Sequence, residues 1–232
     1  MRRNALICLA GSLVVSNFAF AQENSKIGVD VLASAGYSHY NGFKERVTDK
    51  SVTFNGFNIN ASALYSIMKT EMGSPVVGLG VNYNQMNSNS VDIPGITNAG
   101  NLTTSTYKQK FNTLAIMGNF GYKFTPVSKL AIYTLLNLGY GVYNNVKPEL
   151  TTKDNQTGAD YSSLFKPADV KVSNHFIYGV SLIGTYEIVD NFSLGLGATL
   201  NRHEVKFEYE KNSSSTGSFN EYSANLIASY SL

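Results

Sequence analysis

Three histidines, His39, His175 and His203, are the side chains in this sequence best suited to moving protons, and Glu221 follows the last of them. A histidine can activate a hydroxyl from a distant part of the chain, because such groupings are spatial and not sequential. The alternation described below puts His203 and Glu221 on neighbouring strands, where they are expected to meet near one rim as a base and its orienting acid. Residues of this kind at a rim more commonly serve as solvated or hydrogen-bonded structural groups, and that reading is preferred. Metal chemistry would need closely spaced ligands such as His-x-His or His-Glu-x-x-His. Neither spacing occurs, so no metal site and no cofactor are expected, and no catalytic residue is assigned.

The elements that hold these residues show period-two alternation, the mark of strands with two different faces. Ile27, Val29, Val31, Ala33, Ala35 and Tyr37 form a first apolar row. Phe57 to Ile67, Val77 to Tyr83, Leu114 to Phe124 and Leu130 to Val142 repeat the pattern at every second position. Phe176 to Tyr186, Phe192 to Leu200 and Tyr222 to Leu232 complete eight rows. The connections after rows two, four and six are brief, at 68–75, 125–129 and 187–191. Those after rows one, three, five and seven are longer and polar. Residues 84–108 and 144–170 lack sustained alternation, so no further strands are expected there. An even number of strands puts both termini on the short-turn side.

The alternate row is small and nearly uncharged: Gly28, Asp30, Leu32, Ser34, Gly36 and Ser38 on the first strand, Asn58, Asn60, Ser62, Leu64 and Ser66 on the second. A face meeting bulk water would carry roughly 25–35% charged positions. The inside of a narrow closed barrel favours small side chains instead. The small polar row is therefore expected to face the lumen and the apolar row to face lipid. Closure satisfies every backbone group that lipid cannot. The fold class expected is all-β, an eight-stranded antiparallel up-and-down transmembrane β-barrel.

Aromatic spacing agrees with a bilayer. Phe57/Tyr65, Tyr178/Tyr186 and Tyr222/Tyr230 sit eight residues apart on the lipid row. Eight residues tilted by ~40° cover roughly 20 Å along the normal, close to the ~25 Å apolar band of such barrels. With no Trp in the chain, the two girdles are built from Tyr and Phe. The membrane-girdle aromatics are expected to be Tyr37, Phe57, Tyr65, Tyr83, Tyr122, Tyr140, Tyr178, Tyr186, Phe192, Tyr222 and Tyr230. Asp30 and Lys123 share the lumen parity near the periplasmic end, where they are candidates for an ion pair that plugs the barrel.

At the amino terminus, Arg2 and Arg3 precede an apolar stretch, Ala5 to Val15, and Ala19-Phe20-Ala21 offers small residues for cleavage before Gln22. This is the three-part pattern of a secretory signal peptide, residues 1–21, with the barrel over 22–232. Cys8, the one cysteine, lies within it, so the secreted chain has neither disulfides nor thiolate metal sites. Of 18 basic and 16 acidic residues, Arg2 and Arg3 leave with the signal, and the remaining balance is zero. That gives no basic face for nucleic acid.

The signal, the eight rows, the alternating connections and the terminus "EYSANLIASYSL" together resemble the small eight-stranded outer-membrane barrels of Gram-negative bacteria, namely the opacity-protein family and the transmembrane domain of outer-membrane protein A. The resemblance covers all of 22–232. It implies a cell outer-membrane location with both termini periplasmic. Lipid, lipopolysaccharide and the barrel-assembly machinery are the implied partners. In that family the last strand is read during assembly, which puts the assembly signal at Tyr230 and Leu232. No periplasmic peptidoglycan-binding domain is expected. Small lipid A deacylases of this size carry a Ser two positions after a His, which none of the three histidines has.

The function expected is therefore non-enzymatic: a structural barrel whose four extracellular loops serve adhesion or other surface interaction, with a host or surface ligand. Its loops carry mixed charge, Lys44, Glu45, Arg46, Asp49 and Lys50 in the first and Lys147, Glu149, Lys153, Asp154, Asp160, Lys166 and Asp169 in the third. The alternatives are a narrow, low-conductance porin-like channel and, behind it, a lipid A-modifying hydrolase.

Overall fold

The computed structural model describes residues 28–44, 51–68, 70, 72–96, 100, 102–164, 170–209 and 213–232. The signal peptide expected at 1–21 and the loop charges Glu45, Arg46, Asp49, Lys50, Lys166 and Asp169 lie outside them. The strands are β1 (Val29–Lys44), β2 (Ser51–Ser66), β3 (Gly73–Ser88), β4 (Val91–Ile96), β5 (Leu102–Val127), β6 (Leu130–Asp154), β7 (Val170–Val189), β8 (Phe192–Tyr209) and β9 (Ser213–Ser231). All of their pairings are antiparallel. The ring closes where β1 meets β9, from Asp30↔Ser231 to Asn41↔Asn220.

Eight of these strands form the barrel, and β4 continues the third. β3 pairs with β5 from Gly73↔Phe124 to Asn87↔Lys110, and β4 takes up the same partner from Val91↔Tyr107 to Ile96↔Leu102. The break falls at Asn89 and Ser90. Segments expected as loops are thus partly strand: 84–88, 91–96, 102–108 and 144–154 extend the sheet outward. Lys147, Glu149, Lys153 and Asp154 stand on β6 and not in a loop. Alternation failed to mark 103–109 because, Tyr107 apart, both of its faces are polar; Thr103, Ser105 and Gln109 alternate with Thr104, Thr106 and Lys108. β5 and β6 run 26 and 25 residues, while ~9–11 suffice to cross a bilayer. Half of each strand stands clear of the membrane.

The apolar rows face outward across the crossing region. Leu79 is 71% exposed, Leu226 70% and Leu196 67%, whereas Asp30 is 2% and Asn58 1% exposed. Burial on this scale of polar side chains, beneath an apolar exterior, is the inverse of a soluble barrel. Short turns close the inner end. In the β7–β8 turn Asn191 adopts φ 66°, its backbone N–H donates to Glu187 Oε1 at 2.9 Å, and its carbonyl accepts from Ser231 N. Left-handed backbone costs an L-residue about 1–2 kcal/mol, most for a β-branched one. Asn191→Val should lower the free energy of urea unfolding by that amount, read by circular dichroism, while Asn191→Gly should leave it within a few tenths of a kcal/mol.

Candidate functional site

The lumen is filled in layers. At the inner end Lys123 Nζ on β5 lies 2.7 and 2.9 Å from the two oxygens of Asp30 on β1. Tyr133 OH donates to the same carboxylate at 3.1 Å and Ser231 Oγ at 2.7 Å, so four strands meet on one acid. Leu32, Leu64, Val76, Leu135 and Ile227 pack with Tyr133 into one buried cluster beside this group, and Lys123 keeps part of its side chain exposed.

Above it lies a polar ladder. Asn84 donates to Asn82, Asn82 to Asn60, Asn60 to Asn58 at 2.9 Å, and Asn58 to Ser38 Oγ at 2.6 Å. On the facing wall Asn137 Nδ2 donates to Ser181 Oγ at 2.8 Å and Asn201 Oδ1 at 3.3 Å. Between the walls is a chamber of about 70 Å³, bordered by Ser34, Asn60, Asn82, Asn137 and Asn225. Leu32, Met117, Leu135 and Ile227 also line it, so its wall mixes polar and apolar groups, and its volume suits about two waters.

Both walls lead to Glu221. Ser38 Oγ donates to its Oε1 at 3.0 Å and Tyr40 OH at 3.3 Å, while Asn201 Nδ2 and His203 Nε2 each reach Oε2 at 2.9 Å. Four donors fill the roughly four acceptor sites of an ionised carboxylate. Behind His203, His175 Nε2 stands 2.9 Å from its Nδ1, and His175 Nδ1 is 2.8 Å from Asn144 Oδ1. With Asn144 Nδ2 on Gly141 O and Thr113 Oγ1 donating to Asn144 Oδ1, His175 Nδ1 must donate and its Nε2 must accept. His203 is thus held between His175 at Nδ1 and Glu221 at Nε2, 2.9 Å from each. Counting residues, the network draws on every barrel strand: β3, β2, β1 and β9 through the asparagine ladder, β5, β6, β7 and β8 through the histidines.

An apolar cap seals the outer end. Tyr40, Val52, Phe54, Met86, Val91, Phe111, Val205, Phe207 and Phe219 form one buried cluster inside the extension that rises above the crossing region. Phe219 stacks on His203 with centroids 4.8 Å apart and planes 11° apart, and meets Phe54 and Phe111 edge or tilted at 6.4 Å. His175 and His203 are fully buried. Their geometry is a base chained to an acid, yet neither ring reaches solvent, and the hydroxyl nearest His175, Thr113 Oγ1 at 3.3 Å, is equally enclosed. Among the described residues no cluster of three or more His, Cys, Asp or Glu converges as metal ligands do. The histidines and the acid lie in a line.

The residues singled out from sequence are placed as follows. Tyr37, Phe57, Tyr65, Tyr140, Tyr178, Tyr186, Tyr222 and Tyr230 stand exposed on the outer wall, and Tyr83, Tyr122 and Phe192 are half-buried there. A concavity on that same wall, bordered by Tyr37, Phe120, Leu136, Leu182 and Tyr222, faces the acyl chains and not the polar interior. Leu232 is exposed beyond the end of β9, its N–H on Val29 O. Asp30 and Lys123 are in contact, and His203 meets Glu221. His39 takes no part, its ring 2.8 Å from Asn55 Oδ1. Sequence reasoning missed His175 as a member of the chain and missed the cap. Tyr40, Phe111, Val205, Phe207 and Phe219 all continue the lumen parity beyond the outer girdle, and that switch from small polar to large apolar was the available signal.

No protein-family model matches this chain, and no curated protein matches it. Among solved structures it is similar to Neisserial surface protein A, at 15% identity over 86% of this chain and 95% of that one, with a TM-score of 0.39. It is similar also to a major outer membrane protein of Thermus thermophilus, at 13% identity over 90% and 100%, TM-score 0.40. OprG of Pseudomonas aeruginosa gives 11% over 88% and 95%, TM-score 0.41. By its own geometry, a closed antiparallel ring with an apolar exterior and a polar interior, the chain is a multi-pass outer-membrane β-barrel with both ends of the ring on the short-turn side.

Proposed function

We propose that this barrel is a non-enzymatic display scaffold of a Gram-negative outer membrane, holding its outer strands and loops rigid for adhesion or another surface interaction. The observation that carries this reading is the filled interior: an ion pair at the inner end, a hydrogen-bond network across the middle and an aromatic cap at the outer end. A barrel so closed offers partners its outer extension, and recognition commonly resides on loops carried by a rigid scaffold. On the same reading residues 1–21 are the secretory signal, the eleven outer-wall aromatics are the membrane girdles, and Tyr230 with Leu232 is the signal read by the assembly machinery. Trimming β4 and the facing tip of β5 (residues 90–106) should leave a folded, surface-exposed barrel while attachment of whole cells to a ligand-bearing surface falls. Attachment unchanged by loss of this extension and of the other outer loops would end the display reading.

A second reading, a narrow channel, has the internal chamber in its favour. Gly80 and Gly197 border that chamber. Purified protein in planar bilayers should show no unitary conductance. Clear unitary steps abolished by Gly80→Phe or Gly197→Phe would favour the channel over the display scaffold.

A further inference from the structure

The outward row of β5 runs from Tyr122 through Phe120, Ile116 and Leu114 to Asn112, Lys110 and Lys108. A bulge in β6, where Leu114 faces Tyr143 but Ala115 faces Gly141, shifts its parity by one. That shift carries Lys147 and Glu149 onto the same outward face, and all four charged side chains are exposed. Lys110 lies directly opposite Lys147, and Lys108 opposite Glu149. Like charges directly opposed in a sheet are unfavourable on their own. Glu149 does not resolve the conflict, because its Oε1 is taken by Lys110 Nζ at 2.8 Å. That hydrogen bond and charge, with a smaller contribution from the charge of Lys108, hold the Glu149 carboxyl below its usual range. Among the described residues neither Lys108 nor Lys147 forms an ion pair. Further out on the same face stand Asp92, exposed opposite Thr106 on β4, and Lys153, exposed opposite Thr104, so the face carries four ammonium groups and two carboxylates.

Its height selects the counter-charge. Leu114 pairs with Tyr83 and Tyr143 at the outer aromatic level. Lys110 is four residues further out, about 10 Å along the normal for a strand tilted ~40°. The headgroup layer spans about 5–8 Å beyond the hydrocarbon in each leaflet, and a lysine stem lets its ammonium reach back toward that layer.

We propose that Lys108, Lys110 and Lys147 bind the phosphate groups of phosphorylated outer-leaflet lipids from the side of the β5–β6 hairpin. The site rests on the outer-membrane reading. It pins lipid to one wall of the barrel, where a zwitterionic headgroup would not neutralise the excess positive charge. The wild-type chain, folded into phosphatidylcholine nanodiscs doped with lipid A, should retain bis-phosphorylated lipid A in preference to its dephosphorylated form, as counted by native mass spectrometry. Each lysine near the surface is worth about fivefold, so Lys108→Gln/Lys147→Gln should weaken retention by about 25-fold. Glu149→Gln should strengthen it. Heat-modifiable gel migration reports the folded barrel for each variant. Equal retention by wild type and double variant overturns the proposal, as does displacement of the lipid by a soluble heparin fragment, which would mark a polysaccharide partner. A wild-type chain that does not enter the nanodiscs at all sinks the membrane reading instead.

Discussion

Replacing Glu221 by alanine should lower barrel stability by about 3–5 kcal/mol, the largest loss expected of any single change here. The carboxylate is the terminal acceptor of the whole luminal network, with Ser38, Tyr40, Asn201 and His203 all donating to it. Removing it leaves Ser38, Tyr40, Asn201 and His203 buried without their common partner, and breaking one partner out of a buried pair costs about that much. Hydrogen bonds that all point one way polarise one another, so the loss is felt along the asparagine ladder as well. Equilibrium unfolding in urea from lipid vesicles measures the change. Glu221→Leu/His203→Leu supplies the contrast. It deletes both partners together, and its loss should be smaller than the sum of the two single losses, as coupled neighbours require. A loss below about 1 kcal/mol for Glu221→Ala would mean that the network does not hold the strands together.

Leu226→Arg should cost about 2–4 kcal/mol, although the side chain it replaces is 70% exposed. Leu226 lies midway between Tyr222 and Tyr230, the exposed tyrosines of β9, and opposite Leu196 of β8. An arginine there would sit at the bilayer midplane. Thr216→Arg, on the same outward row of the same strand but beyond the outer girdle, should cost no more than about 1 kcal/mol. In a water-soluble barrel both substitutions would be surface changes, within about 0.5 kcal/mol. Equal, small effects at the two sites would therefore overturn the orientation of the barrel. Depth along one strand is the variable, so folding yield into vesicles and the urea midpoint should both follow it.

The eight crossing strands were legible because a bilayer demands an extreme contrast between faces. Val29, Val31, Ala33 and Ala35 alternate with Asp30, Leu32, Ser34 and Gly36, and no other environment rewards that arrangement over so many segments. The proximity of Asp30 to Lys123, and of His203 to Glu221, could be anticipated from parity and height alone. Above the membrane the contrast fades. Thr103 to Lys108 reads as a loop because both faces are polar, and the strand there is held by backbone pairing with β4 and β6, which composition does not encode.

The sequence by itself determined the architecture and the direction each crossing strand faces, since these follow from residue type at period two. Only the tertiary structure decided the rest. Closing the ring brought His175, 28 residues from His203, into line with Glu221, and folded the aromatic cap over them. A single bulge at Tyr143 turned Lys147 and Glu149 outward beside Lys110, against the parity their positions suggest. One inserted residue reverses every face beyond it, and strand parity read along a chain has no means of detecting where that happens.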